Sequence, residues 1–222
     1  MRFLKLLIII FFYFFSSNTV LSQTKAEQNF GSWYMYHGTH KLKNGWGLTT
    51  GLQERNYNTF RNYNLFLIYA GVNYKINKSF TANITYGYLD IDRTFDPDVN
   101  PNTIEHRIFE QISYKTSYFN LPISHRLRLE HRNLFTSENY LLINRVRYRF
   151  KFVIPLSKRV YTNISNESFF NFKGEFYPEN RFYSALGFKV NKNISLEAGY
   201  LNQYINFQNL NRLQVGVLLK TG

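Results

Sequence analysis

Arg145, Arg147, Arg149 and Lys151 stand two apart in the sequence, separated by Val146, Tyr148 and Phe150. A β-strand sends alternate side chains to opposite faces, so one face of this segment is cationic and the other apolar. A second row, Arg126, Arg128, Glu130 and Arg132, lies opposite Leu127 and Leu129 in the preceding segment. A short connection makes the two segments antiparallel neighbours, and that sets the rows side by side. Guanidinium groups in such an array can do two things. They can bind carboxylate or phosphate bidentately, as Lys cannot. Or they can pair with glutamates of the same chain, for which Glu54, Glu105, Glu130, Glu167 and Glu197 are available. Alternation does not fix the orientation of Glu54 or Glu105. Two readings stay open for these residues: a self-neutralised network that fills a small barrel, or a cationic track for an anionic solute or lipid headgroup.

Catalytic chemistry has less support. Ser124 and His125 are sequence neighbours, so on a strand they face opposite ways and cannot form a nucleophile–base pair. His125 and His131 fall on the apolar face, where an interfacial girdle accounts for them. His37, His40 and His106 lack metal-ligand spacing, and no phosphate-binding glycine loop is present. No cofactor is expected. Asn163-Ile-Ser, Asn166-Glu-Ser and Asn193-Ile-Ser match the glycosylation pattern but read as polar lining of strands.

The elements that would hold these rows are strands. Phe80, Ala82, Ile84, Tyr86 and Tyr88 alternate with Thr81, Asn83, Thr85 and Gly87, and segments around residues 123–132, 181–190 and 194–201 alternate in the same way. We place strands near 32–42, 46–56, 62–76, 79–89, 104–116, 121–133, 140–154, 159–171, 181–190, 194–204 and 211–220. The connections 41–46, 75–80 and 189–194 are near copies rich in Asn, Lys and Gly, suited to tight hairpins, and 155–158 is a fourth such turn. The intervening connections are longer and polar: 90–103, 136–139, 171–180 and 202–211. Short turns on one side and long loops on the other predict an all-β, antiparallel transmembrane barrel with periplasmic turns and extracellular loops. Barrels of this type close with an even strand number. The expectation is therefore about 10–12 strands: ten if the first segment lies outside the wall, twelve if residues 24–32 add one. Glu110 shares a face with Ile108 and Ile112, which suggests a bulge.

Residues 1–22 predict the destination. Arg2 and Lys5 flank the apolar run Leu6 to Phe15, followed by small and polar residues up to Ser22. This is the pattern of a cleaved signal peptide, too short for a spanning helix. Residues 23–222 then form a single domain. The chain has no Cys, so neither disulfides nor a lipidated Cys are available. It carries 22 Phe and 18 Tyr, a composition that suits strands and barrel girdles. The net charge of +13 could suit nucleic acid, which export argues against. Outer-membrane lipid, lipopolysaccharide or an anionic solute is the expected partner.

The combination of Phe30-Gly-Ser-Trp33, Gln53-Glu-Arg55, Glu105-His-Arg107, His125-Arg-Leu-Arg-Leu-Glu-His-Arg132, Arg145-Val-Arg-Tyr148, Asn166-Glu167, Asn180-Arg181 and Gly199-Tyr200 resembles a known family. It is similar to the exported "domain of unknown function 2490" proteins of Bacteroidetes-type bacteria. The resemblance implies an outer-membrane β-barrel and no particular activity. The reading is thus a non-enzymatic outer-membrane barrel with a cationic lumen: a small channel, a binder of anionic solute or lipid, or a structural envelope protein. Two alternatives remain: an outer-membrane enzyme acting on lipid, and a soluble periplasmic lipocalin-like barrel with its apolar face inward.

Overall fold

The computed structural model describes residues 25–95, 102–119, 121–137 and 139–222. The signal peptide expected over 1–22 lies outside the described residues. A single helical turn, α1 (Lys25–Gln28), precedes eleven strands: β1 (Gly31–Lys41), β2 (Trp46–Asn56), β3 (Tyr63–Lys75), β4 (Phe80–Asp92), β5 (Asn102–Tyr118), β6 (Leu121–Phe135), β7 (Tyr140–Pro155), β8 (Val160–Asn171), β9 (Glu179–Lys189), β10 (Ile194–Ile205) and β11 (Gln208–Thr221). They form one closed barrel in which each strand pairs with its sequence neighbours. All those pairs are antiparallel, and β1 closes on β11 in parallel, with Trp33 opposite Gln214 and His37 opposite Leu218.

Eleven strands fall within the expected 10–12, but the even number does not hold. The segment around 24–32 contributes α1 and the start of β1 rather than a further strand. An odd number of up-and-down strands leaves the first and last pointing the same way, so their seam must be parallel. Closure still leaves no unpaired edge, which is what a wall in lipid requires.

Alternating short and long connections survive with one correction. The long loop expected over 202–211 is mostly strand: β10 runs to Ile205, and only Asn206 and Phe207 turn the chain. Both take left-handed backbone, φ 48° and 63°, the geometry of a tight hairpin. Two of the three near-copied turns share one mechanism. Asn77 Oδ1 accepts from the backbone N–H groups of Ser79 and Phe80, and Asn191 Oδ1 does the same for Asn193 and Ile194. In the 156–159 turn Ser157 Oγ takes that part, accepting from Arg159 and Val160. Asn44 and Gly45 use positive φ instead.

Sidedness is clear from burial. Thr103, Glu105, Arg107 and Phe109 of β5 are buried, whereas Ile108 and Ile112 between and beyond them are exposed. The same alternation leaves Ile68, Ile84, Leu127, Leu186 and Leu196 exposed on the outside. A lipocalin-like arrangement, apolar face inward, is therefore excluded. The register of β5 is unbroken at Glu110, so no bulge exists there; the shift lies between Arg55 and Asn56 of β2. Glu110 faces outward and meets His131 Nε2 at 3.3 Å, and His131 Nδ1 bonds Asn144 Oδ1 at 2.8 Å.

The two ends of the interior differ. At the loop end Leu65, Leu89 and Ile91 form an apolar cluster, and Thr103, Glu105, Leu134, Glu179, Leu210 and Arg212 are all buried. The 57–62 loop folds over this end: Tyr57 donates to the Asp92 carbonyl at 3.2 Å, and Arg212 Nη1 donates to the Asn56 carbonyl at 3.2 Å. Burial, then the nearby Asp92 carboxylate, pushes the Tyr57 phenol up from its ordinary value. At the short-turn end the inward residues are smaller and more open. Asn73, Ser113, Ser124 and Ser195 are only partly buried, and Lys75, Lys115, Lys189 and Lys220 are exposed.

Candidate functional site

The two cationic rows face each other in register. Arg126 lies opposite Arg149, Arg128 opposite Arg147, and Glu130 opposite Arg145. Like charges directly across a ladder repel, so such rows are tolerable only if anions enter between them. Glu130, fully buried at the centre, supplies this. One of its oxygens accepts from Arg147 Nη1 at 2.6 Å; the other accepts from Arg145 Nη2 at 2.6 Å and Nε at 3.0 Å. Arg128 approaches it at 3.4 Å and Arg107 at 3.8 Å. Glu167 is the second anchor: it accepts from Arg147 Nε at 3.1 Å and Nη2 at 2.9 Å, and from Arg126 Nη2. Arg147 is thus clamped between two carboxylates on neighbouring strands. Arg132 is held bidentately by Glu105, at 2.9 and 2.7 Å.

Several members of this network are absent from the rows read in the sequence. Glu179, which the sequence reading leaves in a loop, opens β9, is buried and binds Arg181 Nε at 2.6 Å. Arg107 binds Glu105 at 2.6 Å, and Arg55 binds Gln53 at 3.2 and 2.8 Å. The signal was a repeated Glu/Gln-x-Arg spacing, which places acceptor and guanidinium on the same face of one strand. Aromatic rings support the layer: Phe169, fully buried, lies under Arg147 at 4.4 Å, Arg181 at 4.6 Å and Arg145 at 4.8 Å, and Trp33 lies under Arg55 at 3.8 Å.

Other expectations are corrected or refined. Glu54 faces outward and binds Asn56, so it is no counter-charge. Glu197 faces inward but is held by neutral donors, Tyr161 OH at 2.9 Å and Asn163 Nδ2 at 3.0 Å. Of the three Asn-x-Ser sites only Asn163 lines the interior; Asn166 pairs with Asn180 on the outside and Asn193 sits in a turn. His125 is outward, bonded to Tyr148 OH at 2.7 Å beside Tyr114.

Against this satisfied network stand groups that are not satisfied. Arg149 and Lys151 form no ion pair with any described residue. The buried Nε atoms of Arg149 and Arg126 and the Trp33 indole N–H lack hydrogen-bond partners. Such orphaned donors are uncommon in folded proteins. They border a cavity of about 170 Å³, whose wall includes Trp33, Met35, Tyr69, Arg126, Arg128 and Arg149. One side of this space is cationic and the other apolar and aromatic. Among the described residues no group of His, Asp and Glu could hold a metal ion.

Comparison with known proteins adds a family and a fold-level likeness. The sequence model of the family described as "Protein of unknown function (DUF2490)" matches residues 30–214. No curated protein matches the chain. The solved "Translocator domain of autotransporter NalP from Neisseria meningitidis" is similar at 11% identity, over 80% of this chain and 75% of that one, with a TM-score of 0.47.

Proposed function

We propose that this chain, which belongs to the DUF2490 family of proteins of unknown function, is an outer-membrane β-barrel that holds a small anion in a blind-ended cationic interior. The observation that carries the reading is Arg149. It is a guanidinium beside a cavity, with no ion-pair partner and an orphaned Nε. An anion entering that space would meet Arg149, Arg126 and the Trp33 N–H together, all donors. Export by cleavage of residues 1–22 belongs to the same reading. So does insertion with the short turns toward the periplasm, because the outward apolar face and absent sheet edges suit lipid.

The buried apolar cluster at the loop end favours holding over conduction. An anion drawn in past Lys115, Lys220 and Lys151 reaches Arg149 and then meets the Glu130-centred layer, whose guanidiniums are already occupied. His40 bonds the hydroxyls of Thr221 at 2.9 Å and Thr50 at 3.1 Å, but both its ring nitrogens are taken by hydroxyls and no described carboxylate orients it, so it does not favour the enzymatic alternative. A purely structural barrel is the second reading, favoured by the dense pairing of Arg145, Arg147 and Arg132.

The test is calorimetric titration of the refolded full chain in detergent with sulfate, inorganic phosphate and citrate. Saturable binding that disappears in Arg149→Met supports the proposal. If none of these anions saturates the protein, or Arg149→Met binds as the parent does, the interior is structural.

A further inference from the structure

We infer that the short-turn end is a collar that binds the headgroups of anionic phospholipid. The charge partition of the chain motivates this. The connections at that end join β1 to β2, β3 to β4, β5 to β6, β7 to β8 and β9 to β10, and none contains Asp or Glu. They carry Lys43, Lys78, Lys158, Arg159 and Lys192, all exposed, and the strand ends beside them add Lys41, Lys75, Lys115, Lys189 and Lys220. The nearest acid, Glu197, is turned inward onto Tyr161 and Asn163 and neutralises nothing at the rim. At the loop end the same census is mixed: Glu27, Asp90, Asp92 and Glu175 accompany Lys25, Arg61, Arg93 and Lys173. Ten of the chain's 27 Lys and Arg residues therefore stand on one rim with no Asp or Glu among them, beside the cationic interior.

A second, independent feature fixes what that rim meets. Immediately inside the collar the outward face is aromatic. Trp46 packs on Tyr74 at 4.9 Å, and Phe80 stacks on Tyr114 at 4.7 Å. Trp46 and Tyr74 are half exposed, and Ile76 and Leu156 are exposed in the turns themselves. Amphipathic rings of this kind settle at the level of lipid headgroups. The lysines, one turn further out, then stand at phosphate depth with flexible stems and no competing carboxylate. Each Lys or Arg near an anionic surface adds attraction that salt screens within a Debye length. The occupant follows from charge and depth: phosphatidylglycerol-like lipid in the leaflet on the short-turn side.

The inference rests on the membrane reading, and its test separates the two. The chain has two tryptophans; Trp33 is buried in the interior, so lipid-borne quenchers report on Trp46. The refolded full chain is placed in phosphatidylcholine vesicles containing either brominated phosphatidylcholine or brominated phosphatidylglycerol as a minor component. Trp46 should be quenched more efficiently by the anionic lipid, with a local enrichment of about fivefold, roughly what one lysine at an anionic surface contributes. The preference should fall toward unity in 1 M salt and in the variant K43Q/K78Q/K158Q/K192Q. Those substitutions lie in exposed turns, and heat-modifiable migration confirms that the variant is folded. Equal quenching by both lipids, or a preference unchanged in the variant, overturns the collar. Quenching by neither lipid overturns the membrane reading itself.

Discussion

Arg149 on β7 and Glu167 on β8 are direct cross-strand neighbours, yet they form no ion pair. Glu167 is taken instead by Arg147, two residues along β7, and by Arg126 from the far side of that strand. A carboxylate has two oxygens, and two guanidiniums exhaust its best directions. Arg149 is the cation left over, and its free donors point to the cavity. The relationship divides the interior into a satisfied layer and an unsatisfied one.

Removing the centre of the satisfied layer should be costly. Glu130→Gln leaves Arg145 and Arg147 buried with half their compensation. A loss of about 3–5 kcal/mol is expected, as for breaking a buried pair from one side. Urea unfolding in detergent micelles measures it, and a loss below 1 kcal/mol would contradict the network as drawn.

Arg149→Met and Arg147→Met should behave oppositely, although both remove one guanidinium from one strand. Arg147→Met strips a partner from two glutamates and should destabilise by about 3–5 kcal/mol. Arg149→Met removes an orphaned buried donor and should leave stability within about 1 kcal/mol, or raise it. The same urea titration decides, and equal losses would show that Arg149 is paired in solution.

Ionic conductance provides a third check. The loop-end cluster of Leu65, Leu89 and Ile91 is buried, and Tyr57 and Arg212 hold the 57–62 loop to the strands at that end. The full chain in planar bilayers should therefore show no stable conductance steps. Steady steps of uniform size would refute a blind interior.

Two glycines carry rings. The Tyr69 ring covers Gly51 and the Tyr161 ring covers Gly187, each so closely that a Cβ would overlap it. Gly51→Ala must displace Tyr69 from His37, a bond of 2.7 Å, at about 1–3 kcal/mol. A shift in the thermal midpoint reads this out; no shift would mean that the ring moves freely.

The outward Glu110–His131 contact should behave as a coupled pair. His131→Leu leaves a lone carboxylate on the apolar face, whereas Glu110→Leu/His131→Leu leaves none. A double-mutant cycle should give a coupling of about 0.5–2 kcal/mol. Additive single effects would mean that solvent screens the two groups from one another.

The periodicity of the chain carried much of the architecture. Alternation placed Arg126, Arg128, Glu130 and Arg132 beside Arg145, Arg147 and Arg149, because side-chain direction on a strand is local and the hairpin between them is short. Three repeated Asn turns and the Ser157 turn likewise marked four hairpins. Glu110 misled the reading because alternation shows which face a residue takes but not that His131 waits one strand away. Glu179 was missed because the residues around it, Pro178 and Glu175 among them, look like loop until β8 offers a partner.

Alone, then, the sequence determined the strand content, the opposed faces of each strand, and the short and long connections apart from that over 202–211, all of which depend on near neighbours along the chain. Only the tertiary structure decided that eleven strands close through a parallel seam, since closure depends on how far every register is staggered. It alone decided which carboxylate serves which guanidinium. Glu130 and Glu167 reach cations from two or more strands at once, and competition among those cations leaves Arg149 unclaimed.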